Sequence, residues 1–226
     1  KMKDWILYED NHIIIINKPP RIPVQGDKTG DTTLLDIVKD YIKKEYNKPG
    51  NVYLGLPHRI DRPTSGIVVL SKTSKSLSRM TELFREKKIN KTYWAVVKEK
   101  LKKENDTLIN FLKKNKNINK SFVSKNAQKG FVKAELNYQF LKKIDNYFLY
   151  EINLITGRHH QIRVQLSHVK SPIKGDVKYG SKRTNKNGSI HLHARCIKFT
   201  HPIKKENIII TAPPPKNDPI WKSCIK

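Results

Sequence analysis

Acidic residues are scarce in this chain. Its 226 residues include 20 Asp and Glu against 46 Lys and Arg, a formal net charge of +26. A protein so poor in acids is expected to meet a polyanion, most often nucleic acid. Part of the excess reflects a composition rich in Lys, Ile and Asn, of the kind AT-rich codons produce. Cysteine is sparse too: Cys196 and Cys224 are too few for a disulfide framework, and their spacing fits no zinc pattern. A reducing, cytoplasmic compartment is the expectation that follows. No stretch approaches the roughly 18 apolar residues of a membrane span; the longest β-branched run, Ile13 to Ile16, is the size of a strand. The basic N-terminus leads into Asp4 and Glu9 rather than an apolar signal core. Membrane and secreted classes are not expected.

Arginine is the minority cation, with nine Arg against 37 Lys. Where lysine serves as the default base, each arginine marks a candidate place for a rigid, bidentate fork. Four of the nine fall in two short clusters, Arg59/Arg62 and Arg158/Arg163.

Periodicity supplies the elements. Trp5 to Asn17 reads as a hairpin turning at Asp10-Asn11, and Lys18-Pro19-Pro20 ends its second strand because proline cannot donate to a ladder. Gly26 to Asp31 reads as loop. Thr32 or Thr33 caps a helix running to about Tyr46, and Ser74 caps another to about Lys88. Ile67 to Leu70 and Lys91 to Val97 read as strands. Residues 98–131, dense in Lys and Asn, read as an exposed insert with short strands. Ala134–Leu141 pairs with Tyr147–Ile155, Arg158–Val169 forms a short basic helix, and Ser181–Gly188 is a polar loop. Ile190–Thr200 and Ile208–Thr211 are the last strands, and Pro213-Pro214-Pro215 stops regular structure. With no repeat and no linker, the expectation is one α+β domain. Its sheet is expected to be mixed and mainly antiparallel.

Two segments carry chemistry. His58, Arg59, Asp61 and Arg62 crowd together just before the apolar strand from Ile67. An acid between two arginines is held ionised and oriented, and on a loop at the mouth of a sheet it is exposed enough to react. On spacing alone a surface ion-pair turn, with Asp61 capping Thr64 or Ser65, stays open as the commoner alternative. The second segment runs from Ile155 to Leu166, where Gly157 frees the backbone at a strand end and Arg158, His159, Gln161 and Arg163 follow. A helix start bearing Arg and Gln suits an anionic partner. His159-His160 and His191/His193 lack acidic or Cys partners at ligand spacing, so no metal is expected. No glycine-rich phosphate loop is present, and no cofactor is expected. Ser65 near His58 is poor support for a hydrolase.

Taken together, the motifs resemble those of the RluA-type RNA pseudouridine synthases. They are Asn17-Lys18-Pro19, His58-Arg-Ile-Asp61-Arg-Pro-Thr-Ser-Gly66, Lys91-Thr-Tyr93-Trp-Ala95, Thr156-Gly-Arg158-His-His-Gln-Ile-Arg163, Pro172-Ile-Lys-Gly-Asp176 and Leu192-His193-Ala194. They follow the family's order over residues 5–213. His159 and Gln165 depart from the usual residues, and neither is at a catalytic position. The resemblance implies a single-domain isomerase, its sheet flanked by helices with an active-site cleft across it, that breaks the bond between uracil nitrogen and ribose, turns the base and rejoins it through carbon 5. It implies Asp61 as the essential catalytic aspartate, Tyr93 as the active-site tyrosine stacking on uracil, and Arg163 as the base pairing with the aspartate. Arg59 would enter the space left by the flipped base. Arg62 and Arg158 are expected at phosphates, with His58 and Gln161 also on the RNA-binding surface. The partner would be transfer RNA or large-subunit ribosomal RNA, and the state a monomer. The small RNA-binding domain that precedes the catalytic domain in many relatives is not expected here. Two rivals remain: a non-catalytic RNA-binding protein of the same fold, and a nuclease.

Overall fold

The computed structural model describes residues 2–26 and 29–226, so two positions of the loop expected over 26–31 lie outside the described residues. The chain falls into two compact units, Lys1–Ile89 with Ala194–Pro214, and Asn90–His193 with Pro215–Lys226.

The first unit is built on β1 (Ile6–Glu9), β2 (Ile13–Lys18) and β3 (Ser65–Ser71), followed by most of β9 (Leu192–Thr200) and β10 (Asn207–Thr211). They lie in the order β1-β2-β3-β9-β10, with β1/β2, β2/β3 and β9/β10 antiparallel. Ile13 to Ile16 are fully buried, and so is nearly all of β3. A strand covered on both faces reads as an unbroken apolar run, which explains the four consecutive isoleucines. Helix α1 (Leu34–Glu45) starts at Thr33, whose side chain accepts from the Asp36 N–H while the Asp36 carboxylate takes the Thr33 N–H. Helix α2 (Ser74–Arg85) is capped by Thr73, one residue before the expected Ser74. Both helices stop short of the expected ends.

Gly66 sits at the start of β3 with φ +109, and a Cβ there would collide with the backbone of Ala194. A side chain is therefore excluded twice, by conformation and by space. Gly66→Ala is expected to lower stability by more than about 1 kcal/mol, read in urea unfolding. A variant as stable as wild type would show that the β3 and β9 backbones separate without cost.

The second unit contains β4 (Asn90–Val97), β5 (Asn105–Asn115), β6 (Lys120–Ser124), β7 (Val132–Ile144) and β8 (Tyr147–Leu154), in the antiparallel order β4-β8-β7-β5-β6. Three expectations are corrected here. The 98–131 insert is not a set of short strands: β5 has 11 residues and pairs with β7 along most of its length. The second basic segment does not enter a helix at Arg158. Helix α3 (Gln161–His168) begins three residues later, and its first six residues are all buried. Regular structure does not stop at the prolines either. Asp218 caps a seven-residue helix, α4 (Pro219–Ile225), with Pro219 in the first turn, where its missing N–H costs nothing. Trp221 and Cys224 of α4 pack on Val96, Ile144 and Leu149, while Val164 of α3 and Tyr179 pack on Leu112 and Ala134.

Among the described residues, no helix is long and apolar enough to cross a membrane.

Candidate functional site

In the first unit, the loop before β3 is fixed from three sides. His58 accepts the Val69 N–H at Nε2 (2.9 Å) and stacks on Phe84, with ring centroids 4.4 Å apart. An acceptor at Nε2 makes this a neutral imidazole, so His58 ties the loop to β3. The Asp61 carbonyl accepts from the Thr64 N–H (3.0 Å), closing a tight turn. Arg62 donates from Nε to the Arg21 carbonyl (3.0 Å) and pairs with Asp31 and Thr29 through its two terminal nitrogens. The Arg21 N–H returns a bond to the Arg62 carbonyl (2.7 Å). Arg62, expected at a phosphate, is thus engaged with the 21–31 segment. Arg59 is exposed and has no ion pair among the described residues, which leaves its fork presented to solvent.

Lys18 is the residue here that received no role from sequence. It is fully buried, and its ammonium donates to the carbonyls of Pro19 (3.0 Å), Ile22 (2.9 Å) and Arg62 (3.2 Å). Three donors meet three acceptors, and the last acceptor is the residue next to Asp61. Burial pushes Lys18 down to about 7; the Asp61 carboxylate pulls it back up and Arg62 lowers it further. The loop carboxylate therefore sits in the field of a buried cation. The only advance signal was the Asn17-Lys18-Pro19 motif itself.

Below about pH 7 Lys18 is charged both folded and unfolded, so its contribution does not vary with pH. Between about 7 and the unfolded 10.5, the unfolded chain holds the proton and the folded chain has lost it, so stability rises with pH. Wild type should therefore gain on Lys18→Met by roughly 1 kcal/mol per pH unit across that window. Urea unfolding of both proteins at several pH values checks this. A gap independent of pH would show that Lys18 stays charged throughout.

In the second unit, β4 carries Lys91 and Tyr93 on one face, two residues apart. Tyr93 is buried and lies opposite Ile152 of β8. Burial lowers Lys91, and a Cβ on Gly157 would come within 2.9 Å of its Nζ. The glycine thus lets the 155–158 turn approach the lysine. Gln161 is buried. Its Oε1 accepts from Thr156 Oγ1 (2.8 Å) and the Arg158 N–H (2.9 Å), and its Nε2 donates to the Glu135 carbonyl (3.1 Å). Expected at an RNA surface, Gln161 instead spends its amide on shaping the turn that carries Arg158. Arg158 is exposed and donates from Nε to the Lys133 carbonyl (3.0 Å).

Arg163 forms a two-pronged pair with Asp176, Nε to Oδ2 at 2.7 Å and Nη2 to Oδ1 at 2.9 Å, with side chains 6% and 1% exposed. The Tyr179 ring covers the guanidinium at 5.1 Å. The Tyr179 hydroxyl accepts from the Ser121 N–H (2.8 Å) and bonds His160 Nδ1 (2.7 Å). His160 has φ +52, and His159 stacks on it at 3.7 Å while meeting Ser121 Oγ through Nδ1 (2.8 Å). The paired histidines thus anchor β6 to the start of α3. Asp176 and Tyr179 were missed as supports; the Pro172–Asp176 motif was their only trace.

In the first unit the structure thus places Asp61 and Arg62 with Lys18 and His58 against β3; in the second it places Arg158, Gln161 and Arg163 at the start of α3 and Tyr93 on β4. Residues 12–168 match the sequence model of a family described as RNA pseudouridylate synthase. The chain is 37% identical to ribosomal large subunit pseudouridine synthase C of Buchnera aphidicola subsp. Baizongia pistaciae, over 99% of this chain and 70% of that protein. It is 32% identical to the protein of the same name from Vibrio vulnificus, over 94% of this chain and 66% of that one. These relatives are longer than the chain, which spans 66% to 70% of their length. Among solved structures, human RNA pseudouridylate synthase domain containing 4 superposes with TM-score 0.79 at 24% identity, covering 95% of this chain and 90% of its own. Human RNA pseudouridylate synthase domain containing 1 gives 0.72 at 19%, covering 93% and 83%. Those two show the α+β fold with its mixed, mainly antiparallel strands. The sequence relatives and the matching family model show more: the chain belongs to the RNA pseudouridylate synthase family, whose members are RNA isomerases.

Proposed function

We propose that the chain isomerises uridine to pseudouridine in RNA, with large-subunit ribosomal RNA as the substrate and Asp61 as the essential catalytic residue. The observation that carries this reading is the Asp61 loop: its neighbours His58 and Arg62 are locked to the scaffold, the Arg62 carbonyl takes a bond from the buried Lys18 ammonium, and the Asp61 carboxylate lies in the field of that lysine. A catalytic group needs such support, because misplacement by an ångström costs rate. In the reaction the N1–C1′ bond breaks and a C5–C1′ bond forms. The hydrogen on C5 leaves as a proton and N1 gains one, so atoms balance without a cofactor or metal. A carboxylate is suited to the anomeric carbon or to proton transfer.

Tyr93 is assigned to stack on the uracil, Arg163 to act as the basic residue of the site, and Arg59, exposed on its loop, to fill the gap left by the flipped base. Arg158 and Arg62 are assigned to phosphates, Arg62 while holding its loop. The substrate choice rests on the names of the relatives; transfer RNA is the second candidate. The test is tritium release from RNA labelled at C5 of uracil, offered as ribosomal RNA and as transfer RNA in separate reactions. Release from ribosomal RNA alone is expected. Release from transfer RNA alone would overturn the substrate, and shortened RNA without release would point to a nuclease.

A further inference from the structure

We propose that the outer face of β5, β6 and β7 is a stacking platform for single-stranded RNA. This rests on the reading that the chain's substrate is RNA. The inner face of these strands carries Asn110, Leu112, Ser121, Ala134 and Leu136, all buried. Alternation then sends Ile109, Phe111 and Lys113 of β5, Phe122 of β6 and Lys133 of β7 to the other side. Solvent-facing strand positions usually hold threonine, lysine or glutamate, yet here three phenylalanines gather.

The register sets their arrangement. Lys113 lies opposite Phe122 on β6, and on the β7 side its ammonium rests over the Phe131 ring at 5.8 Å. One step along, Phe111 lies opposite both Ser124 and Lys133. Lys113 thus has a ring on each side across the strands and Phe111 two residues before it on its own strand. Strands are about 4.8 Å apart, so rings two strands apart are roughly 10 Å from one another. That leaves room for splayed bases on the rings and for phosphates at the lysines between them. Phe122 is 46% exposed and Ile109 50%.

Charge complementarity selects the occupant. From Thr107 to Ala134 the sequence has seven lysines and no acid; Glu135, opposite Ile109 on the same face, pairs with Lys133 at 2.9 Å and leaves Lys113 as the cation set among the rings. A protein partner with an apolar patch would not need this excess of cations around the rings. Cross-strand Phe–Lys pairs do stabilise a sheet, but that role is served equally by aliphatic residues and predicts no affinity for RNA. A duplex keeps its bases stacked on each other and offers the rings nothing. Single strands are therefore the ligand that fits both features.

The test uses the full chain and a fluorescent oligouridylate of about 12 nucleotides, with a matched duplex as competitor. Phe122→Ala is expected to weaken single-strand binding about five- to hundredfold, with an unchanged unfolding midpoint, and Phe122→Tyr to restore it. Lys113→Gln is expected to reduce the slope of log affinity against log salt by about 1. Photocrosslinking of a 4-thiouridine oligomer should label the peptides carrying Phe122 or Phe131. Single-strand affinity within twofold of wild type in both Phe111→Ala and Phe122→Ala would overturn the proposal, as would a duplex that competes equally. Tritium release by a wild type that binds no single strand would remove the platform and leave the isomerase. Binding that depends on Phe122, with no release from any RNA, would do the reverse.

Discussion

Replacing Asp61 with Asn is expected to reduce tritium release by at least about 1,000-fold while leaving RNA affinity unchanged or slightly improved. The substitution keeps the shape of the side chain and removes its charge, so nucleophilic attack and proton transfer are both lost. General acid–base function alone accounts for about 10²- to 10⁴-fold, and loss of a nucleophile costs as much again. Binding should survive because the chain has 46 cationic side chains, and removing one carboxylate makes it more cationic still. Lys18 reports on the same change. The Asp61 carboxylate supports its ammonium, so the variant should hold the Lys18 proton less tightly than wild type does. Residual release within tenfold of wild type would remove Asp61 from the chemistry. Loss of release together with loss of binding would assign it a structural role in its loop.

That loop was legible from sequence because its residues are local: five positions crowd one acid, one imidazole and two guanidinium groups together. Likewise β2 and β3 declare themselves as runs buried on both faces, and α1 by its cap. The elements that sequence misread depend on distant partners. β5 carries Lys113, Lys114 and Asn115 at its exposed end and a buried asparagine, Asn110, on its inner face. Asn110 is tolerated there because Gln165 of α3 donates to its Oδ1 (2.9 Å), a contact 55 residues away along the chain. The start of α3 was placed too early because His160 adopts a left-handed conformation that few non-glycine residues enter. What stabilises it is the Tyr179 hydroxyl. Helix α4 is only about two turns long, and its apolar pair, Trp221 and Cys224, has meaning only against Val96 and Leu149.

The same lesson governs the supports of the site. Arg59 and Asp61 stand out in sequence, while Lys18 and Asp176 act through backbone carbonyls or a single buried partner. Their types predict neither burial nor pairing. Lysine and aspartate are almost never fully buried unless paired or fully hydrogen-bonded, so the fold had to be seen before their roles could be assigned.

Removing the Arg163 side chain should be the most destabilising single change proposed here. Arg163→Met leaves the Asp176 carboxylate 1% exposed with its two-pronged partner gone, and strips the cation from beneath the Tyr179 ring. Breaking a buried pair from one side costs about 3–5 kcal/mol, because the surviving charge stays desolvated. Asp176→Asn should cost less, since the amide oxygen still accepts one of the two bonds. The informative variant is the double one. Arg163→Met with Asp176→Leu removes both charges and fills the space, and pairs replaced in this way are often neutral. The double variant is therefore expected to be more stable than Arg163→Met alone, by about 2 kcal/mol or more. Urea unfolding of wild type, Arg163→Met, Asp176→Leu and the double variant measures the coupling directly. If the double variant recovers stability but releases no tritium, Arg163 serves the reaction as well as the fold. If it recovers both, the pair is a structural staple and the basic residue of the site must be sought elsewhere. A double variant no more stable than Arg163→Met would show that Asp176 is not what makes the single change costly.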